Sequence, residues 1–210
     1  MTGIAIFAFL IICVIIWIVL NLFGEEPKED KLHIPSVGQF KKVNKSQFQI
    51  DYSQFMEGLY GLGIKDIKPK TKWDKVYESI KLPERATTGS AGYDFFSPVS
   101  FILQPGETIK FPTGIKVDID AGWVLKLYPR SSVGFKYDTM LSNTVGIVDS
   151  DYYYSNNDGH MWVKLKNNGT KPLVVVAGDR VVQGIFVPFG ITYDDCTVEK
   201  RIGGIGSSGK

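Results

Sequence analysis

The sequence predicts an all-β domain, and two observations predict it. From Trp73 onward, short β-branched and aromatic runs alternate with Gly, Pro, Asn and Asp. Many short strands at near-regular spacing argue for a sandwich or barrel. The pair Pro105-Gly-Glu-Thr and Pro112-Thr-Gly-Ile then supplies the punctuation of strand, turn and strand. Strands are expected at 101–103, 108–111, 115–119, 123–128, 144–148, 161–165, 173–176 and 181–187.

The segments ahead of the strands read differently. Phe48, Tyr52, Phe55, Met56, Leu59 and Tyr60 recur at spacings of three and four, which predicts one short amphipathic helix. A lysine-rich connector follows and breaks at Pro69, so residues 44–72 form a helix and connector. Residues 24–43 begin with the charged, proline-containing run Gly24-Glu-Glu-Pro-Lys-Glu-Asp-Lys31 and read as a linker. From Ile4 through Phe23 the chain is almost wholly apolar, about the 20 helical residues that a hydrocarbon core requires. This predicts a single-pass membrane anchor over residues 4–23. A secretory signal is the competing reading, but no Lys or Arg precedes the run and no small-x-small cleavage site follows it. Lys28, Lys31, Lys41, Lys42 and Lys45 all lie on its C-terminal side, so the positive-inside tendency places the remainder in the cytoplasm.

With 210 residues and 44% hydrophobic content, the chain can bury one sizeable core and carry a smaller appendage. The main domain is expected over 73–210. A net charge of +2 is too small to suggest a nucleic-acid binder. Cys13 and Cys196 give neither a disulfide framework nor a Cys/His metal spacing, which fits a reducing compartment.

Two runs carry candidate chemistry. Pro129-Arg-Ser-Ser-Val-Gly134 offers a guanidinium and two hydroxyls suited to phosphate oxygens. Gly146-Ile-Val-Asp-Ser-Asp-Tyr152 offers a carboxylate able to activate water and a ring able to lie against a sugar. Alone, the first is also what a solvated turn looks like, and the second what breaks a strand. Three more runs give them company: Ala91-Gly-Tyr-Asp-Phe95, Gly178-Asp-Arg-Val-Val-Gln183 and the closing Gly203-Gly-Ile-Gly-Ser-Ser-Gly209.

In this order the five runs resemble the five motifs of the trimeric dUTP pyrophosphatase family, over roughly residues 79–210. The resemblance implies a jelly-roll or distorted β-barrel subunit, a homotrimer, Mg²⁺ and hydrolysis of dUTP to dUMP and pyrophosphate. It also implies sites shared between subunits, with motifs one, two and four from one chain, the third from a neighbour and the fifth from the remaining one. Arg130 and Ser131 would contact phosphates, with Ser132 closing their turn. Asp149 would orient water for attack on the α-phosphorus, Tyr152 would pack on the deoxyribose, and Asn143 and Gly146 belong to the uracil-reading hairpin. A side-chain amide offers uracil donor and acceptor together. Asp94 would hold the water shell of Mg²⁺, which usually needs only one or two carboxylates. Gln183 would bond a phosphate oxygen, and Arg201, Ser207 and Ser208 would close a lid formed by residues 201–210. Asp151 is expected to shape the hairpin, Asp179 and Arg180 to form an ion pair with each other, and His160 to sit at a strand edge.

Two departures from the family pattern stand out. Ile205 replaces an aromatic residue, with a shortened spacing from Arg201, and residues 153–159 look like an insertion with Gly159 as the displaced turn glycine. They leave a catalytically silent dUTP-binding signalling module as one alternative. A dCTP deaminase of the same fold is another, although no glutamate base is placed for it.

Overall fold

The computed structural model describes residues 14, 15, 17, 34–61 and 72–204, in two compact units, 1–36 and 37–210. In the first, Val14, Ile15 and Trp17 are helical, and the rest of the apolar run 4–23 lies outside the described residues. Among the described residues no helix is long and apolar enough to cross a membrane. The expected anchor and single-pass membrane location are therefore not upheld, since a span requires about 20 continuous apolar helical residues.

The second unit opens with β1 (Gly38–Lys42), α1 (Lys45–Gly61) and α2 (Trp73–Ser79). Then come β2 (Glu84–Arg85), β3 (Tyr93–Phe96), β4 (Phe101–Leu103), β5 (Thr108–Pro112), β6 (Ile115–Ile119) and β7 (Trp123–Pro129). After α3 (Ser131–Tyr137) follow β8 (Thr139–Leu141), β9 (Gly146–Val148), a 3₁₀ helix (Ser150–Tyr154), β10 (Trp162–Asn167), β11 (Leu173–Val175) and β12 (Arg180–Pro188). The expected strands are present, so the fold is predominantly β.

Every strand pair is antiparallel. The largest sheet runs β2-β3-β12-β7-β9, a second runs β5-β10-β8, and β11-β4 and β1-β6 form two-stranded ribbons. Alternation fixes which face is buried: Ile115, Val117 and Ile119 of β6 point into the core, as do Val163, Leu165 and Asn167 of β10. Asn167 is tolerated there because its Nδ2 donates to the carbonyls of Leu103 and Lys171, so no polar group is left unmatched.

α1 forms for the reasons its sequence states. Asn44 caps it, its Oδ1 accepting the Gln47 backbone N–H at 2.8 Å. Phe48, Tyr52, Phe55, Met56 and Leu59 then fall on one buried face. The strand β1 is a correction, because Gly38–Lys42 lies in the segment read as linker. Apart from Phe40 its residues are Gly, Gln and two Lys, which carry little strand signal of their own; pairing with β6 supplies the missing hydrogen bonds.

Candidate active site

A cleft of about 630 Å³ opens beside β9 and β10. Asn143, Gly146, Asp149, Tyr152 and Arg201 line it, five of the residues singled out by sequence. β9 supplies Gly146, where an added Cβ would stand 3.1 Å from the Leu127 Cβ on β7, so glycine suits the close strand approach. The chain then enters the 3₁₀ helix, which turns Tyr152 inward while Asp149 stays at its mouth.

Tyr152 is buried, and its hydroxyl donates to the His160 carbonyl at 2.7 Å. Burial raises its pKa above the ordinary tyrosine value, against the hydrogen bond from Asn157 Nδ2, so the phenol remains a donor. Arg201 stands over the Tyr152 ring at 5.7 Å and forks across two carboxylates. Its Nη2 meets Asp149 Oδ2 at 2.6 Å and its Nε meets Asp151 Oδ1 at 2.8 Å. Asp151 therefore holds the tail instead of only shaping the hairpin. Ile205, Ser207 and Ser208 lie outside the described residues.

The suspected insertion is a folded element. After the 3₁₀ helix, Asp158 and Gly159 both take left-handed backbone, with φ of 57° and 64°. At Gly159 a Cβ would come within 2.9 Å of the Tyr153 carbonyl, which explains the glycine. The Asn156 N–H donates to the Ile202 carbonyl, so this loop also carries the start of the tail. Lys116 reaches Asp158 at 2.7 Å and lies over the Tyr153 ring at 4.6 Å, fixing the loop to β6.

Asp94, Arg130 and Gln183 form a separate group on the large sheet, and none of them lines the cleft. Asp94 is buried between two guanidiniums: Oδ1 takes Arg130 Nε at 2.9 Å and Oδ2 takes Arg180 Nη1 at 3.1 Å. Arg180 thus pairs with Asp94 and not with Asp179. The β12 bulge between Arg180 and Val182 aims it there, while Asp179 accepts the Val176 backbone N–H in a local turn. Gln183 lies opposite Asp94 in the ladder and donates to the Pro129 carbonyl at 3.3 Å. Ser131 and Ser132 are exposed in the first turn of α3.

His160 is also corrected, from strand edge to fully buried. Among the described residues no group of three His, Cys, Asp or Glu could hold a metal ion.

Residues 78–209 match the model of the dUTPase family. The chain belongs to that family. The deoxyuridine 5'-triphosphate nucleotidohydrolase of Lactococcus lactis is 43% identical over 133 residues, covering 62% of this chain and 89% of that protein. Its namesake from Haemophilus influenzae is 38% identical over 155 residues, 70% of this chain and 99% of its own. Among solved structures, the Streptococcus mutans dUTPase aligns with a TM-score of 0.50 at 40% identity, over 55% of this chain and 90% of its own. A Staphylococcus bacteriophage 80alpha dUTPase gives 0.53 at 18% identity, over 79% and 98%, a likeness of fold alone.

β1 and α1 precede the part that matches the dUTPase family. Among the residues of this dUTPase cleft that sequence reasoning missed are Lys110 on β5, and Trp162 and Lys164 on β10. Lys110 Nζ sits 4.6 Å from the Trp162 ring centre. Their signal was weak, because lone lysines on strands normally mark a solvated face; only the pairing of β5 with β10 gathers them.

Proposed function

We propose that this chain is a dUTP diphosphatase, hydrolysing dUTP to dUMP and pyrophosphate by attack of water on the α-phosphorus. One observation carries the assignment: Asp149, Asn143, Gly146 and Tyr152 converge on one cleft in a chain of the dUTPase family. Asp149, half-exposed at the mouth, orients and deprotonates the water. The Asn143 amide and the backbone around Gly146 read the uracil edge. Tyr152, held by its hydroxyl, presents its ring to the deoxyribose, where a 2′-hydroxyl would collide.

Arg130, Ser131, Ser132 and Gln183 serve the phosphates of a different cleft, in a homotrimer with shared sites. The separation of the two residue groups within one chain supports this arrangement, since neither group alone meets the needs of a triphosphate. Arg201 exchanges its two carboxylates for terminal phosphates as the tail closes, together with Ser207 and Ser208. The β domain of a jelly-roll or distorted-barrel subunit extends over 73–210, behind the short helix and connector of 44–72.

Mg²⁺ neutralises phosphate charge when bound. Asp94 fits a role through the waters of that ion and not as a direct ligand. Both of its oxygens already accept from guanidiniums, and each retains a lone pair for a water. Pyrophosphate release by the full chain against dUTP, UTP and dCTP, with and without Mg²⁺, tests the assignment. Rapid Mg²⁺-dependent release from dUTP is expected, and absence of release from dUTP overturns it.

A further inference from the structure

β1 and α1 lie outside the family match, and the chemistry above gives them no task. Yet α1 buries an acid, Asp51, within the same face that carries Phe48, Tyr52 and Phe55. A buried carboxylate is costly unless partnered. Asp51 Oδ2 accepts Gln47 Nε2 at 3.0 Å and stands 2.5 Å from His160 Nδ1. On the far side of the imidazole, Nε2 accepts the Gly114 backbone N–H at 2.8 Å. That acceptance assigns the ring proton to Nδ1, so His160 donates to Asp51.

The ring is therefore held at both ends, and its own backbone carbonyl reaches Tyr152. The His160 carbonyl accepts the Tyr152 hydroxyl at 2.7 Å and Asn157 Nδ2 at 3.2 Å. Asn157 Nδ2 also donates to the Tyr152 hydroxyl at 3.0 Å. A second tie reinforces the first, because Asp158 Oδ2 accepts the Asn44 N–H at 2.7 Å, fixing the loop to the start of α1. From helix to sugar-facing ring, the path is a hydrogen bond between Asp51 and the His160 ring, the covalent frame of His160 and a hydrogen bond between its carbonyl and Tyr152, with all three residues buried.

We infer that Asp51 and His160 are positioning residues that set the Tyr152 ring, so that a helix outside the family match governs discrimination of the 2′-hydroxyl. The inference rests on the assignment of Tyr152 to the sugar. A ring held at one end by a fixed carbonyl cannot tilt to admit a larger sugar, whereas one held by a loosened carbonyl can. The effect falls on selectivity because no member of the relay except Tyr152 lines the cleft.

The test measures kcat and KM for dUTP and UTP with the full chain and its Asp51→Ala, Asp51→Asn, Tyr152→Phe and Tyr152→Ala variants. Asp51→Ala should raise the UTP-to-dUTP ratio of kcat/KM by about threefold or more, mostly through KM, while Asp51→Asn restores it. The amide oxygen of Asn can still accept from His160 and Gln47. An unchanged ratio in folded Asp51→Ala, beside a raised one in Tyr152→Ala, overturns the relay and leaves the sugar assignment standing. An unchanged ratio in Tyr152→Ala removes that assignment and the relay with it. Should Asp51→Ala not fold, Tyr152→Phe decides: it removes only the hydroxyl, and an unchanged ratio overturns the relay.

Discussion

Asp94 and Asp149 both face arginines, yet they belong to opposite kinds of structure. Asp94 sits on β3 with its side chain 8% exposed, between Arg130 after β7 and Arg180 on β12, three neighbouring strands of one sheet. Asp149 follows β9 with its side chain 48% exposed, and its arginine comes from the tail beyond the last strand. The ladder fixes the first cluster, so its charges can serve only where they stand. The second is a contact between a loop and a tail, and its carboxylate can change partners. Similar distances thus occur in a fixed cluster and in an exchangeable contact, and what holds the partner in place tells them apart.

The sharpest way to break this comparison is at Asp149. Asp149→Asn should retain nucleotide binding, followed by calorimetry, while turnover falls by about 100-fold or more, as loss of a general base typically costs. The amide keeps the shape and removes the charge. Near-normal pyrophosphate release would remove Asp149 as the base.

Asp94→Ala tests the other side. It strands two guanidiniums on a shared site; full burial would cost about 3–5 kcal/mol, but partial exposure of both arginines brings the expected loss nearer about 2 kcal/mol. For a domain of this size that lowers Tm by about 4–8 °C. An unchanged thermal midpoint would show that the cluster is no scaffold.

How much of this was legible in the sequence follows from where each signal resides. The strands were readable because alternation and turn residues are local, and so was α1, whose apolar spacing names its buried face. The motif runs gave the cleft residues through resemblance to a family. β1 was not legible, since Gly38–Lys42 becomes a strand only by pairing with β6 some seventy-seven residues later. The Arg180–Asp94 pair, the burial of His160 against Asp51 and the reach of Arg201 to Asp149 are likewise long-range contacts between polar residues. Each of those residues also has an ordinary local explanation, which is what the sequence alone supports.

The tail sharpens the comparison from the side of the exchangeable partner. Removing residues 201–210 should leave a folded domain, because the described part of that segment adds no buried hydrophobic residue. Turnover should nevertheless fall at least about tenfold, or about 1.4 kcal/mol of transition-state stabilisation, if Arg201 moves from Asp149 to the phosphates. Faster turnover would instead mean that Arg201 restrains the base, and unchanged turnover would strike the tail from the site.

The smallest expected effect separates distance from worth. Lys45 Nζ and Glu78 Oε1 meet at 2.6 Å, as close as Arg201 and Asp149, but their side chains are 63% and 65% exposed. The hydrogen bond with Lys45 lowers the Glu78 pKa, and the same bond raises that of Lys45. Solvent screens such a pair, and two long side chains lose freedom to form it. Lys45 also opens the first turn of α1, where its charge opposes the helix dipole, so its removal offsets part of the loss. Lys45→Ala should therefore leave the thermal midpoint within about 2 °C of the parent at pH 7, below the shift expected for Asp94→Ala. A larger fall would show that this exposed contact anchors α1 to α2.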